Sequence, residues 1–234
     1  GDIPIGTKAY YDENTGFNTS ENFPDWLLGE LDSILPPLLK KGKSISIDIE
    51  TSSGQARVFI DSIHPVPKLV VVGSGNDVAP VVDVAKINGF SVSIIGFRKG
   101  IDISKKFPNA DDFHHSSPSS ITSTLEFNNN VYVVIMTHNF IEDRLSLEHL
   151  LSTPVSYIGL LGPQERFEEM LSEFKAEGKN LTPHTNRIYT PIGLDIGGGS
   201  PYQIATSIIS EILSVHNHRL PRHLRDREGP IHDR

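Results

Sequence analysis

Apolar residues fall into two regimes along this chain. Residues Gly1–Ser20 are polar and turn-rich, with no visible period. Asp25–Leu39 places Trp26, Leu27, Leu31, Ile34 and Leu35 at helical spacing, and Pro36 with Pro37 is expected to end that helix. Ser44–Glu50 alternates Ile45, Ile47 and Ile49 with polar neighbours, and Ala56–Ile63 repeats the alternation with Val58 and Ile60. With a turn at Thr51–Gln55 between them, they predict a β-hairpin. Pro65 and Pro67 then break the pattern and set a boundary near Lys68. Residues 1–67 therefore read as a small helix-and-hairpin segment, thinly apolar, suited to the remnant of a larger domain.

Past that boundary, apolar runs alternate with helical periods. Leu69–Val72, Phe90–Ile95, Val131–Met136 and Val155–Leu161 read as strands, with Ala110–His115 as a short fifth. Ala79–Asn88, Asp143–Leu151, Gln164–Glu177 and Pro201–Val215 read as helices. Strands that are apolar throughout, separated by helices, imply a parallel sheet covered on both faces. The expected fold class is α/β, a Rossmann-like doubly wound sheet over residues 68–219, followed by a tail at 220–234. Such sheets bind ligands beyond the C-terminal ends of their strands, so the residues just after each strand carry the functional question.

Composition narrows the function classes. The chain of 234 residues is 37% hydrophobic and 21% charged, ordinary globular usage. Its formal charge of −8 argues against a nucleic-acid partner. No apolar run approaches the ~20 residues needed to span a bilayer. No signal-peptide pattern opens the chain, and Gly1 in place of Met points to a processed or trimmed chain. The absence of cysteine excludes disulfides, thiolate metal sites and a cysteine nucleophile, and a cytoplasmic location is the simplest reading. The histidines show no metal-ligand spacing, and His216 and His218 suit the C-terminal dipole of the last helix. No nucleophile elbow, Walker loop or carboxylate pair is present, so no catalytic residue is assigned.

The candidate chemistry is anion binding. In Gly73-Ser74-Gly75-Asn76-Asp77-Val78, Gly73 permits a tight turn and Gly75 lets a phosphate approach the backbone. Val78 replaces the third glycine of a dinucleotide motif, and Asp77 is placed to cap the helix with the carboxylate in the phosphate's position. A plain strand-to-helix turn is the alternative. After the second strand, where a dinucleotide fold carries an acid for the ribose about 20 residues on, Gly96 stands with Arg98 and Lys99 beside it. The two cations suit a phosphorylated ligand or a solvated basic turn. Thr137 and His138 offer a hydroxyl and an imidazole after the most apolar strand, and Asp143 suits the dipole of the helix that follows. Helix capping by Thr137 or Asn139 is the alternative there.

Gly162-Pro163 makes a sharp helix entry. Arg166 in that first turn is electrostatically misplaced, which either a bound anion or a pair with Glu169 would explain. Gly197-Gly198-Gly199 before the capping box Ser200–Gln203 forms a second candidate anion site, with Asp195 nearby.

Taken together, these loops resemble the C-terminal Rossmann-like domain of the XdhC/CoxI family. The resemblance rests on Val72–Pro80, on Met136-Thr137-His138 with Asp143, on Tyr157–Gly162 with Arg166, and on Pro191–Gly197 through Ser200-Pro201. The tail Arg227–His232 is also similar, so the match extends over about Pro65–His232. Residues 1–67 carry no counterpart of the glycine-rich motif of the family's other domain. The resemblance implies an accessory protein, more a cofactor-binding chaperone than a catalyst. It would bind a molybdopterin-type cofactor and deliver it to a molybdenum hydroxylase apo-enzyme such as xanthine dehydrogenase. On that reading Gly73, Gly75 and Asn76 hold the phosphate, Arg98 and Arg166 suit its charge, and Ser74, Asp77, Gly162 and Gly197 complete the cofactor-binding set. Thr137, His138 and Asp195 meet the pterin or metal end. An NAD(P)-dependent oxidoreductase is the rival on the same fold, with Gly96 against NAD and Arg98 leaving NADP open. A partner-binding scaffold without a small ligand is the third reading, and homo-oligomerisation is left open.

Overall fold

The computed structural model describes residues 3–12, 15–20, 23–39, 44–63, 65–98, 100 and 102–229. The chain divides into two compact units, Gly1–Pro65 and Val66–Arg234.

The first unit opens with a hairpin that periodicity does not announce. Strands β1 (Ala9–Asp12) and β2 (Gly16–Thr19) pair antiparallel, with Tyr11 opposite Phe17. Each is four residues long, too short for an alternation to show. The register is set by one aromatic pair, whose rings meet edge-on at 4.8 Å. Helix α1 (Asp25–Leu39) buries Leu27, Leu31 and Leu35, one residue per turn. It does not stop at Pro36 and Pro37, which lie within its last turns. Proline's fixed φ is helical, so both residues keep the helical backbone at the loss of their amide donors. Strands β3 (Ile45–Thr51) and β4 (Gly54–Ile60) form the expected hairpin, and Ile49 and Ile60 close a small core with the α1 leucines.

The second unit carries six parallel strands: β5 (Lys68–Val72), β6 (Ser91–Gly96), β7 (Asp112–His115), β8 (Val131–Ile135), β9 (Tyr157–Leu160) and β10 (Ile188–Tyr189). Their spatial order is β10-β9-β8-β5-β6-β7. Counted within the unit from the far edge, this is 3-2-1-4-5-6, the order of a dinucleotide-binding doubly wound sheet, with its switch point between β5 and β8. Successive residues of the central strands face opposite layers. Leu69 and Val71 pack with helices α2 (Val78–Ile87) and α6 (Pro201–His216), through Val81, Val82, Ala85, Ile208 and Ile212. Val70 and Val72 pack on the other face with helices α4 (Phe140–Leu150) and α5 (Gln164–Ala176), through Leu147, Leu150, Met170 and Phe174. Both faces are covered, which is why these strands read as unbroken apolar runs. Val78, where a third glycine would allow closer helix packing, is fully buried core instead. Between β6 and β7 lies one short helix, α3 (Ile103–Lys106).

Several polar contacts lock this frame. His216 at the end of α6 bonds the Tyr132 hydroxyl at 2.9 Å, so it is tied to the sheet as well as placed at a helix C-terminus. Glu211 accepts from the Tyr157 hydroxyl at 2.6 Å and from the Gly193 amide at 2.9 Å. Arg187, just before β10, gathers the carbonyls that follow α4. Its Nη1 donates to Thr153 at 2.6 Å and Val155 at 3.2 Å, and its Nη2 to Leu151 at 2.6 Å. Arg187→Ala leaves those carbonyls without their donor. It should lower stability by about 2–3 kcal/mol in urea unfolding, whereas a change below about 0.5 kcal/mol would mean that water replaces the guanidinium.

Candidate functional site

A cleft of about 460 Å³ opens beyond the C-terminal ends of β5, β6 and β8, at the switch point. Gly73, Ser74, Gly75, Asn76 and Asp77 form its floor, Phe97 and Arg98 one wall, and Thr137, His138 and Glu142 the other.

The floor is shaped by two glycines. Gly73 has φ +136°, and a Cβ there would stand 2.5 Å from the Met136 carbonyl oxygen, so only glycine lets β5 turn this close to the end of β8. A Cβ on Gly75 would stand 2.4 Å from Asp77 Oδ1 and 3.5 Å from the His138 ring. The amides of Gly75, Asn76 and Asp77 have no protein acceptor among the described residues. They precede α2, where anions are favoured. Asp77 occupies the N-cap position but makes no capping bond. Its Oδ2 instead meets His138 Nε2 at 2.7 Å, so the expected competition of its carboxylate for the loop amides does not occur.

The opposite wall is fixed from within. Asp143, in the first turn of α4, is only 2% exposed. Its Oδ1 accepts from the Thr137 amide at 3.1 Å and the Thr137 hydroxyl at 2.5 Å, and its Oδ2 from Arg166 Nη2 at 2.5 Å. Burial pushes the Asp143 carboxyl above the ordinary carboxylate range, while Thr137 and Arg166 pull it back. With Thr137 pinned, His138 follows at φ +61°, a left-handed conformation that non-glycine residues rarely take, and its half-exposed ring lies toward Asp77. Asn139 caps α4, accepting from the Glu142 amide at 3.1 Å. The helix-cap reading thus holds for Asn139, while Asp143 does much more than complement a dipole.

Of the residues expected at the site, those of the glycine loop together with Arg98, Thr137 and His138 meet in this one cleft. Arg98 is exposed and pairs with no acid among the described residues. Lys99 lies outside the described residues, as do residues 230–232 of the tail similarity. Gly96 does stand where a ribose-binding acid would, and a Cβ there would meet Ile103 Cδ1 at 2.5 Å, so a side chain would require the end of Ile103 to move.

Two expectations are corrected. Arg166 pairs through Nη2 with Asp143 rather than with Glu169, its buried Nε has no partner among the described residues, and the hollow it lines with Gly162 is about 10 Å³, no more than one water. The Gly197–Ser200 run is not an open anion site, because Gln203 Oε1 accepts from the amides of Gly199 at 3.0 Å and Ser200 at 3.1 Å. Gly197 and Asp195 are exposed and line neither hollow. Sequence reasoning missed Lys106 in α3, whose Nζ donates to the Ser74 carbonyl at 2.6 Å and steadies the loop. No local pattern marks it, because α3 is only four residues long and is not expected from the sequence.

The XdhC Rossmann domain matches residues 69–212, well over half of the sequence. The chain belongs to the XdhC family. It is 35% identical over 158 residues to a probable xanthine dehydrogenase subunit of Bacillus subtilis, covering 68% of this chain and 46% of that protein. It is 29% identical over 166 residues to the uncharacterized protein YqeB of Escherichia coli, covering 70% of this chain and 30% of that protein. The chain thus spans less than half the length of these two relatives. Among solved structures, a xanthine dehydrogenase from Bacillus halodurans superposes with a TM-score of 0.58 at 24% identity, covering 84% of this chain and 66% of that one, a likeness of fold. No helix among the described residues is long and apolar enough to cross a membrane.

Asp143→Ala removes one partner of a buried ion pair and should cost about 3–5 kcal/mol in urea unfolding. The pH dependence has a definite sign. Burial makes the folded chain hold the Asp143 proton more tightly than the unfolded chain does. The group's contribution is therefore greatest below the unfolded carboxylate pKa and is lost as pH rises through the raised one. The stability of the wild type minus that of Asp143→Asn should fall with rising pH across the acid range; a rise would show that the ion pair outweighs burial.

Proposed function

We propose that the Rossmann unit of this chain binds a phosphate-bearing cofactor of the molybdopterin type. It would then hand that cofactor to a molybdenum hydroxylase of the xanthine dehydrogenase class during maturation. Membership of the XdhC family supports the association with such an enzyme, as does the name of the Bacillus subtilis relative. The observation that carries the ligand reading is the cleft at the switch point. It combines unpaired loop amides with the unpaired Arg98 and lacks the acid that would hold a ribose at Gly96. The donors fit a phosphate: the amides sit at the start of α2, and His138 stands against the Asp77 carboxylate that would otherwise repel an anion. When bound, the cofactor would supply a metal-carrying pterin. The chain's own residues would bind its phosphate through Gly75–Asp77 and Arg98 and meet its other end with His138. Thr137 serves through its backbone, since its hydroxyl is committed to Asp143. Asp195 has no part in it.

Anaerobic titration with molybdopterin tests this. The wild type should bind. Arg98→Ala should weaken binding about tenfold or more, the loss expected for one charged hydrogen bond. Gly75→Val should abolish it, because the added carbons collide with the Asp77 carboxylate. Failure of the wild type to bind sinks the proposal. The unpaired Arg98 favours one rival, an NADP-type ligand. Thermal stabilisation by NADPH, without molybdopterin binding, would transfer the cleft to that ligand.

A further inference from the structure

The two long helices of the Rossmann unit that carry a side-chain N-cap treat their third residue differently. In α6 the cap is reciprocal: the Gln203 amide donates to the Ser200 hydroxyl, and the Gln203 side chain returns to the Ser200 amide. In α4 the equivalent residue is Glu142. Its amide donates to the Asn139 side chain, but the return bond is not made, because the Asn139 amide donates to the Thr137 hydroxyl oxygen at 3.1 Å. That oxygen is held in place by Asp143. The buried Asp143–Thr137 contact therefore displaces Glu142 from its capping role. Glu142 is half-buried and lines the cleft, and its carboxylate has neither a hydrogen-bond nor an ion-pair partner among the described residues.

A helix dipole accounts for a negative charge in this turn. It does not account for a partnerless carboxylate in a concave site. An ionised carboxylate only accepts, through two oxygens, and its best-matched partner is a fork of two adjacent N–H donors. Across the cleft stands the unpaired Arg98, with the loop amides on the floor between. The arrangement fits a ligand that is anionic where it meets the floor and Arg98, and carries a donor edge where it meets Glu142.

We propose that Glu142 reads the ring edge of the ligand, selecting heterocycles with the 2-amino-4-oxopyrimidine edge shared by guanine and pterins. That edge presents a ring N–H beside an exocyclic amine. Adenine and nicotinamide each set an acceptor beside their amine, which would place a lone pair against the carboxylate. The proposal rests on the reading of the cleft as a phosphate site and names the residue that chooses what the phosphate carries.

Calorimetric titration of the full chain with GMP, IMP and AMP tests it, because GMP and IMP differ only in the 2-amino group. GMP should bind about tenfold or more tightly than IMP, with AMP no better than IMP. In Glu142→Gln the GMP-to-IMP ratio should fall toward one, and reading the ratio within each protein cancels any general loss. Equal binding of GMP and IMP by the wild type overturns the assignment, even where phosphate-bearing probes bind and the cleft reading stands. A ratio unchanged in Glu142→Gln also overturns it. If no phosphate-bearing probe binds, both readings fall. Displacement of GMP by molybdopterin under anaerobic conditions, a pterin that carries its own phosphate, identifies the edge as a pterin's. GMP discrimination without that displacement identifies a guanine nucleotide, and either result upholds the role of Glu142.

Discussion

One buried carboxylate organises the binding end of this sheet. Asp143 receives both the amide and the hydroxyl of Thr137 and the guanidinium of Arg166, and so joins the exit of β8 to the first turns of α4 and α5. Burying an ion is costly, and here the Thr137 and Arg166 donors offset part of that cost while burial keeps the upper hand. Without it, the turn after β8 would have no reason to hold Thr137 inward. Its neighbour would have no reason to keep a left-handed backbone. The contact thus sets where the imidazole of His138 lies, and through the diverted Asn139 amide it also sets what Glu142 is free to do.

The charges around the cleft are arranged with some economy. The chain is acidic overall, yet the floor of the cleft exposes backbone donors beside an unpaired arginine. The acid closest to that floor, Asp77, is hydrogen-bonded to the His138 ring at 2.7 Å. Lys106 holds the Ser74 carbonyl of the same loop. These are features of a preorganised site, in which little order has to be gained on binding.

The fold was largely legible in the sequence because its strongest signals are long and local. Unbroken apolar runs such as Val131–Met136 occur where both faces of a strand are covered. The first hairpin escaped because four-residue strands joined by one aromatic pair leave no period to read. At the site, the glycine loop, Arg98 and His138 were legible as residues that follow strands. The ion pair of Arg166 was not, since its partner lies 23 positions away and no local spacing links them. The Gly197–Ser200 run misled for a related reason. A glycine-rich helix entry shows that amides are accessible, but whether a nearby Gln203 already occupies them depends on a rotamer, which sequence does not display. Glu142 passed unremarked because its significance lies in a bond it fails to make.

The six-stranded sheet ends on one side in β10, two residues long, and on the other in β7, four residues that include Asp112, His114 and His115. Short or charged outer strands offer little template for another chain to extend. Lateral growth of this sheet is thereby discouraged, and a protein that docks on the unit must engage its helices or its loops. Side-chain surfaces separate more readily than a shared ladder of backbone bonds, so contacts made through them stay reversible.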